Sequence, residues 1–552
     1  MTNKLKTGGA MAVAPHFLAA QSARDVLKEG GNAIEAMVAA AATIAMVYPH
    51  MTGLGGDAFW LIHEPGQQPV AIDACGGAAA GLTPSFYTSR GLSSIPVRGP
   101  LAANTVAGTV SGWERALEFS KLRWNGRMPL SRLFDDAIHF AERGVPVTAS
   151  QIRSTTAKQA ELEQQPGYSE CFLVNGKPPG QGSLFFQPRM AALLWHLSRT
   201  GLDDFYRGEL AQTIAADLAA CGSPVALADL NGYKAELVKP LALAHSLGTI
   251  YNLPPPTQGA VSLMILGILD RLHLNEIEPD SADYVHCVVE ATKQAFRIRD
   301  TEITDPRYMR IAAQDCLKPE FLDPLAHAIR LDKALPWGKG RGPGDTVWMG
   351  VIDGEGRAVS FIQSIYHEFG SGVVLEHSGL NWRNRGCSFS LDENALNGLR
   401  PGRKPFHTLN PALACLDDGR VMVYGTMGGD GQPQTQATVF TRAIVYGQAL
   451  QQAVSAPRWL LGRTWGSPSE TLKLEARFSA EIVESLRRRG HEIEMLQEFD
   501  EAVGHAGAIV RNPDGNAGRG IRSAQRRRRC RTLNVIGAPA IHGSFPVDHM
   551  PK

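Results

Sequence analysis

The chain has 552 residues, 44% of them apolar and 20% charged, the composition of a soluble globular protein with enough apolar sequence to bury a large core. With a formal net charge of +1, nothing in the charge balance argues for a nucleic-acid-binding surface. The apolar stretches fall short of a membrane span, and the eight cysteines contain no C-x-x-C pair, which argues against a membrane protein and against a zinc or redox centre. With no signal-peptide core after the basic N-terminus, scattered thiols point to a reducing cytoplasm.

In chain order, residues 19–29 have helical spacing and stop at Gly30-Gly-Asn32, and an Ala-rich helix follows over 33–47. Gly53-Leu-Gly-Gly-Asp57 then runs into a strand at 58–62. A dinucleotide loop needs its strand before the glycines and its helix after them, so nucleotide binding is rejected. Residues 100–220 are mostly helical in pattern, with clear periods at 131–143 and 190–199. Asn252-Leu-Pro-Pro-Pro256 cannot lie mid-strand, and 283–300 is again helical.

The pattern then changes. Gly338-Lys-Gly-Arg-Gly-Pro-Gly-Asp345 is too rich in Gly and Pro to pack, and it runs directly into Thr346-Val-Trp-Met-Gly-Val-Ile-Asp353. Strands are expected at 347–353, 357–365, 412–416 and 420–425, and helices at 435–446 and 480–489. This mixture favours a layered α/β or α+β domain. A linker that ends at a hydroxyl residue at the mouth of a buried strand is either an ordinary loop or the layout of a chain that cuts itself.

The second reading has a definite chemistry. A freed terminal threonine carries its own base, because its α-amine titrates near 8. Acyl transfer also needs N–H donors aimed at the developing oxyanion, and Gly428-Gly429 lies between a strand and a helix where such donors could be supplied. Ser364 falls on the strand after that of Thr346, within reach if the two strands are neighbours. Phe369-Gly-Ser-Gly372 reads as a turn with room for a ligand, or simply as a turn. His50, His286, His367 and His407 stand alone and read as structural; no two have the spacing of a helical metal pair.

Taken together, Gly30-Gly-Asn-Ala-Ile-Glu-Ala36, Pro49-His-Met-Thr-Gly-Leu-Gly-Gly56, Pro254-Pro-Pro-Thr-Gln-Gly259, Gly344-Asp-Thr346, Phe369-Gly-Ser-Gly-Val-Val374 and Gly428-Gly429 resemble, in order, the motifs of the gamma-glutamyltransferase family of N-terminal-nucleophile hydrolases. The resemblance implies a four-layer αββα sandwich with additional helices from the large chain. It implies autocleavage between Asp345 and Thr346 into a large chain (1–345) and a small catalytic chain (346–552) that stay associated around one core. Thr346 would be the nucleophile, Ser364 its supporting hydroxyl, and Gly428 and Gly429 the oxyanion donors.

The substrate-binding positions depart from gamma-glutamyl enzymes. Thr83 stands where the family has a carboxylate-binding arginine. Arg385-Gly-Cys-Ser-Phe389 replaces an acidic segment that holds the substrate ammonium. Tyr366 replaces an asparagine, and His407-Thr408 a Ser-Ser pair. These segments resemble the oxamate amidohydrolase branch, which implies a small anionic amide as substrate, with Tyr366, Arg383, Arg385, His407 and Thr408 as binding residues and no metal or organic cofactor. A gamma-glutamyl hydrolase or transferase, a cephalosporin or glutaryl acylase, and a processing-defective binding paralogue are the alternatives; a homo-oligomer is left open. From about residue 517 the sequence departs from the family's ending. Its run Arg526-Arg-Arg-Arg529 suggests a frame-shifted, unpacked tail that lacks the closing strand.

Overall fold

Buried apolar strands on either side of the Gly-rich linker pair with one another. In the structure, a computed structural model that describes residues 9–337, 345–462 and 470–521, they form two antiparallel six-stranded sheets. The first runs in the order Met11–Val13, Asp345–Ile352, Ala358–Tyr366, Asp57–His63, Val70–Ala74, Glu236–Val238. The second runs Ala517–Ile521, Gly507–Arg511, Val421–Gly425, Ala412–Leu416, Gly248–Asn252, Leu241–His245. Segments before and after residue 345 contribute to both sheets.

The sheets pack face to face through Phe59, Leu61, Trp348, Ile362, Leu413, Val423 and Ile509. Trp348 fills this interface because Gly425 yields to it: a Cβ there would lie 2.2 Å from the indole. The Trp348 indole N–H donates to the Ser360 hydroxyl at 3.0 Å, so its one polar atom is satisfied in the core. On the outer face of the first sheet, Trp60, Met349 and Phe361 meet the helices Ala33–Val47 and Thr109–Trp124, and Leu130–Arg143 packs on the first of these helices. On the outer face of the second, Ile250, Ala414, Met422 and Tyr424 meet Gly259–Asp270 and Gly431–Phe440, and Ala282–Glu302 packs on these two helices. The result is the αββα sandwich. Both faces of the central strands are covered, which is why they read as continuous apolar runs rather than alternating ones.

The Ala33–Val47 helix is buried along its whole length. Its start is fixed by a reciprocal cap: the Asn32 side chain accepts from the Ile34 and Glu35 N–H groups, while Glu35 Oε2 accepts from the Asn32 N–H at 2.8 Å. Asp353, just past Asp345–Ile352, adds a carboxylate to the same N-terminus by accepting from the Ala33 N–H at 3.1 Å.

Two expectations change. The helix expected from 435 starts at Gly431 and continues into a π-helical turn, Thr441–Val445. Its first turn, Gly431-Gln-Pro-Gln434, has no apolar period and is buried through hydrogen bonds instead; Gln434 Nε2 donates to the carbonyls of Asp430 and Leu461 at 3.0 and 2.9 Å. The closing strand is also present. Residues Ala517–Ile521 pair with Gly507–Arg511, which corrects the reading that packing ends at about 517. The main chain forms this edge, and Gly520 lets it sit close to the helix Leu450–Ser455, where a Cβ would meet the Leu450 carbonyl at 2.6 Å. The arginine run 526–529 and the linker 338–344 lie outside the described residues.

Candidate active site

The site is built around an irregularity in the first sheet. Gln363 pairs with Val347 but Tyr366 pairs with Asp345, so the Ala358–Tyr366 strand carries one extra residue opposite Thr346. A bulge of this kind re-aims side chains at the end of a strand. Tyr366 closes it with a left-handed backbone, φ +84°, a conformation that costs energy for a tyrosine and that the surroundings must enforce. Ser364 helps enforce it: its Oγ accepts the Tyr366 N–H at 2.8 Å. Thr346 and Ser364 are both buried, which excludes a solvent-facing role for the serine. The Gly53-Leu-Gly-Gly56 segment lies against the same place. A Cβ on Gly56 would meet the Ser364 carbonyl at 2.2 Å, and one on Gly55 the Asn381 carbonyl at 2.3 Å, so these glycines serve close backbone packing.

Gly428 and Gly429 follow the Val421–Gly425 strand, with φ of +114° and +51°. Among the described residues neither N–H has an acceptor. The loop is held from behind by Gln258, whose Nε2 donates to the Gly429 and Thr408 carbonyls, both at 2.8 Å. One helical turn further on, the buried Gln432 points its Nε2 at Thr346 Oγ1, at 3.5 Å. Asp430 precedes this turn and, instead of capping it, turns its side chain into a fully buried ion pair with Arg299 of the Ala282–Glu302 helix, at 2.9 Å.

The five expected binding residues separate into two groups. Arg383 and His407 share Asp57: Arg383 pairs with its carboxylate, and His407 Nε2 lies 2.9 Å from Oδ2. Arg383 also donates to Thr105 Oγ1 at 2.7 Å and to the Gly76 carbonyl at 2.8 Å, so its donors are directed at protein groups. Burial and the two neighbouring guanidinium groups push the His407 imidazole well below its ordinary value, which keeps it neutral.

Arg385, Tyr366 and Thr408 form the second group. The Arg385 guanidinium stacks on the Tyr366 ring with its carbon 3.5 Å from the centroid, and Nη2 donates to Thr408 Oγ1 at 2.9 Å. Its Nε is buried without a partner, and among the described residues no carboxylate lies within ion-pair distance of it. Burial lowers the pKa of this group and lifts that of the Tyr366 phenol, with Arg385 opposing the second shift. Gly386 keeps the arginine's turn in place, since a Cβ there would collide with Asn104 at 1.8 Å. Thr83, in contrast, is exposed and bonded to Ser85 Oγ.

The turn Phe369-Gly-Ser-Gly372 offers no such room at its glycines. Phe369 packs against Tyr168 and Phe172, and a Cβ on Gly370 would meet the Trp382 carbonyl at 2.5 Å. Folding brings together two buried sets with metal-capable atoms that spacing alone did not show: Asp57, Cys75 and His407, and His286, Glu290 and His491. In each a protein cation already holds the carboxylate, Arg383 on Asp57 and Lys293 on Glu290, which makes both internal ion-pair networks. Sequence reasoning also missed Asp57, Gln258 and Gln432. Asp57 and Gln258 sit beside glycines of the motifs quoted above and Gln432 three residues after Gly429, and burial of a polar side chain near such a loop is visible only in the fold.

A bulged strand end carrying a buried threonine, two glycine N–H groups without an acceptor among the described residues and an αββα frame match the layout of an N-terminal-nucleophile hydrolase. The gamma-glutamyltranspeptidase family model matches residues 19–531, and the chain belongs to that family. It is 59% identical over 505 residues to the oxamate amidohydrolase proenzyme of Klebsiella pneumoniae, covering 92% of this chain and 95% of that protein. It is 39% identical to the glutathione hydrolase-like YwrD proenzyme of Bacillus subtilis, again covering 92% of this chain and 95% of the relative. Among solved structures, cephalosporin acylase from Bacillus halodurans superposes with a TM-score of 0.85 at 31% identity, covering 93% of this chain and 94% of that one. The chain is thus an enzyme of an autoprocessed hydrolase family, and no described helix is long and apolar enough to cross a membrane.

Proposed function

We propose that this enzyme hydrolyses oxamate to oxalate and ammonia through an N-terminal Thr346 acyl-enzyme. The observation that carries the reading is Arg385, a buried guanidinium with no acidic partner among the described residues. An unpaired charge in the interior costs several kcal/mol, and a substrate carboxylate that completes the pair recovers it. A guanidinium presents two parallel donors to a carboxylate, and stacking on Tyr366 fixes the plane in which they point. A gamma-glutamyl substrate brings an ammonium group as well, which this arginine repels. The name of the Klebsiella relative supports the same substrate.

In this reading the peptide bond between Asp345 and Thr346 is cut first, and the freed α-amine becomes the general base. Thr346 Oγ1 attacks the carboxamide carbon, its proton passing through the α-amine to the leaving nitrogen, and the C–N bond breaks to release ammonia. The Gly428 and Gly429 N–H groups hold the oxyanion. Water then attacks the acyl carbon, gives a proton back to Oγ1 by the same route, and releases oxalate. Ser364 supports the nucleophile by fixing the bulge, and Arg383 with His407 braces the floor of the site through Asp57. We place the enzyme in the cytoplasm; the seven described cysteines are all unpaired thiols, which supports that.

Ammonia release from a panel of oxamate, glutamine, a γ-glutamyl anilide and a glutaryl amide tests the reading. Oxamate is expected to be turned over far better than the others. A kcat/KM on the anilide comparable to that on oxamate would overturn it.

A further inference from the structure

We propose that Gln432 is a catalytic residue that positions both the nucleophile and the group that departs or arrives opposite it. The inference rests on the Thr346 reading above and adds a residue to it. Gln432 is fully buried in the first turn of Gly431–Phe440, two residues beyond the loop that carries the Gly428 and Gly429 N–H groups. Its Nε2 faces Thr346 Oγ1 at 3.5 Å. Its Oε1 is buried and has no hydrogen-bond partner among the described residues. An orphaned interior acceptor is costly, and a residue that keeps one beside a reacting hydroxyl is set to receive a donor from a ligand.

The two ends of the carboxamide have separate tasks. Nε2 donates to Oγ1, which leaves the threonine's own proton directed at the α-amine and stabilises the charge that builds on oxygen as that proton leaves. Oε1, the other end of the same planar group and without a partner among the described residues, is the acceptor for an N–H of the leaving nitrogen. When ammonia has gone, a water molecule takes that place, donates one O–H to Oε1 and turns its lone pair toward the acyl carbon. The bonds formed and broken are those of the two hydrolytic steps above, and no further reactant is needed. The rigid anchoring of this turn agrees with the role: Asp430 is tied to Arg299, and Gln434 to two carbonyls.

The test uses the full-length chain and the variants Gln432→Met, which keeps the volume and removes both polar ends, and Gln432→Glu, which keeps an acceptor and loses the donor. Self-cleavage is timed on a denaturing gel, kcat and KM are measured on oxamate, and Tm is recorded. Both variants are expected to slow self-cleavage at least about 10-fold and to lower kcat about 100-fold. KM and Tm should change little, a split that a merely structural glutamine would not give. If Gln432→Met is not recovered folded, Gln432→Glu decides alone. Rates within about twofold of the wild type in a folded variant would overturn the inference, as would a loss of kcat matched by a fall in Tm. A wild-type chain that cleaves itself but releases no ammonia from oxamate would remove the substrate reading while leaving Gln432 to be judged by self-cleavage. A wild-type chain that does not cleave itself would contradict both.

Discussion

Arg385 and Arg383 are two residues apart and equally buried, yet they play different parts because one has met an acid inside the protein and the other has not. Asp57 neutralises Arg383; Arg385 has an aromatic face, the Thr408 hydroxyl, the Phe406 carbonyl at 3.5 Å and an Nε without a partner. Thr408 is therefore expected to matter through Arg385. Thr408→Val removes the hydroxyl that Nη2 meets and should raise KM for oxamate about 10-fold while kcat stays near the wild-type value, checked by initial rates. Thr346→Ala should remain a single chain on a denaturing gel, since no hydroxyl is left to attack the Asp345 carbonyl.

Among the elements, the bulged strand end and the sheet interface are the most sensitive. Gly425→Val drives a branched side chain into the Trp348 ring and should cost about 1–3 kcal/mol, read as a lowered Tm. The edge strand Ala517–Ile521 makes a second test. Of two chains, one ending after 521 and one ending after 516, the second lacks a row of main-chain hydrogen bonds that the first keeps and should melt earlier. The helix Ala33–Val47 and the strands around Thr346 were legible in the sequence because apolar runs with a cap or a Gly-rich boundary leave few alternatives. The strand at 517–521 was not, because an edge pairs through its backbone and Gly518-Arg-Gly520 carries no apolar signal. The site was legible where glycine or an altered motif residue marked it. The partition between Arg383 and Arg385 was not, since it depends on Asp57, 326 residues before the first of them.

For the whole molecule, both sheets contain strands from either side of residue 345, so cleavage there should leave an associated pair. Chains of 345 and 207 residues, about 37 and about 22 kDa, are expected on a denaturing gel and a single peak on size exclusion. Acid should loosen this frame. Burial holds His50 and His491 at about 3, against an ordinary 6.5, so between those values the unfolded chain binds protons that the folded one refuses. Their contribution is intact above pH 6.5 and drains away as pH falls toward 3, by up to about 1.4 kcal/mol per pH unit for each histidine. Melting curves between pH 7 and 4 should show a falling Tm, less steep in His491→Gln; a flat profile would contradict this.

The most direct measurement compares kcat/KM for oxamate with that for oxamide, its neutral diamide, in the wild-type enzyme and in Arg385→Gln. With Arg385 pairing the substrate carboxylate, oxamate should be preferred by about 100-fold or more, and the preference should collapse in the variant. Equal turnover of the two compounds by the wild type, or a preference that survives in Arg385→Gln, would contradict that pairing.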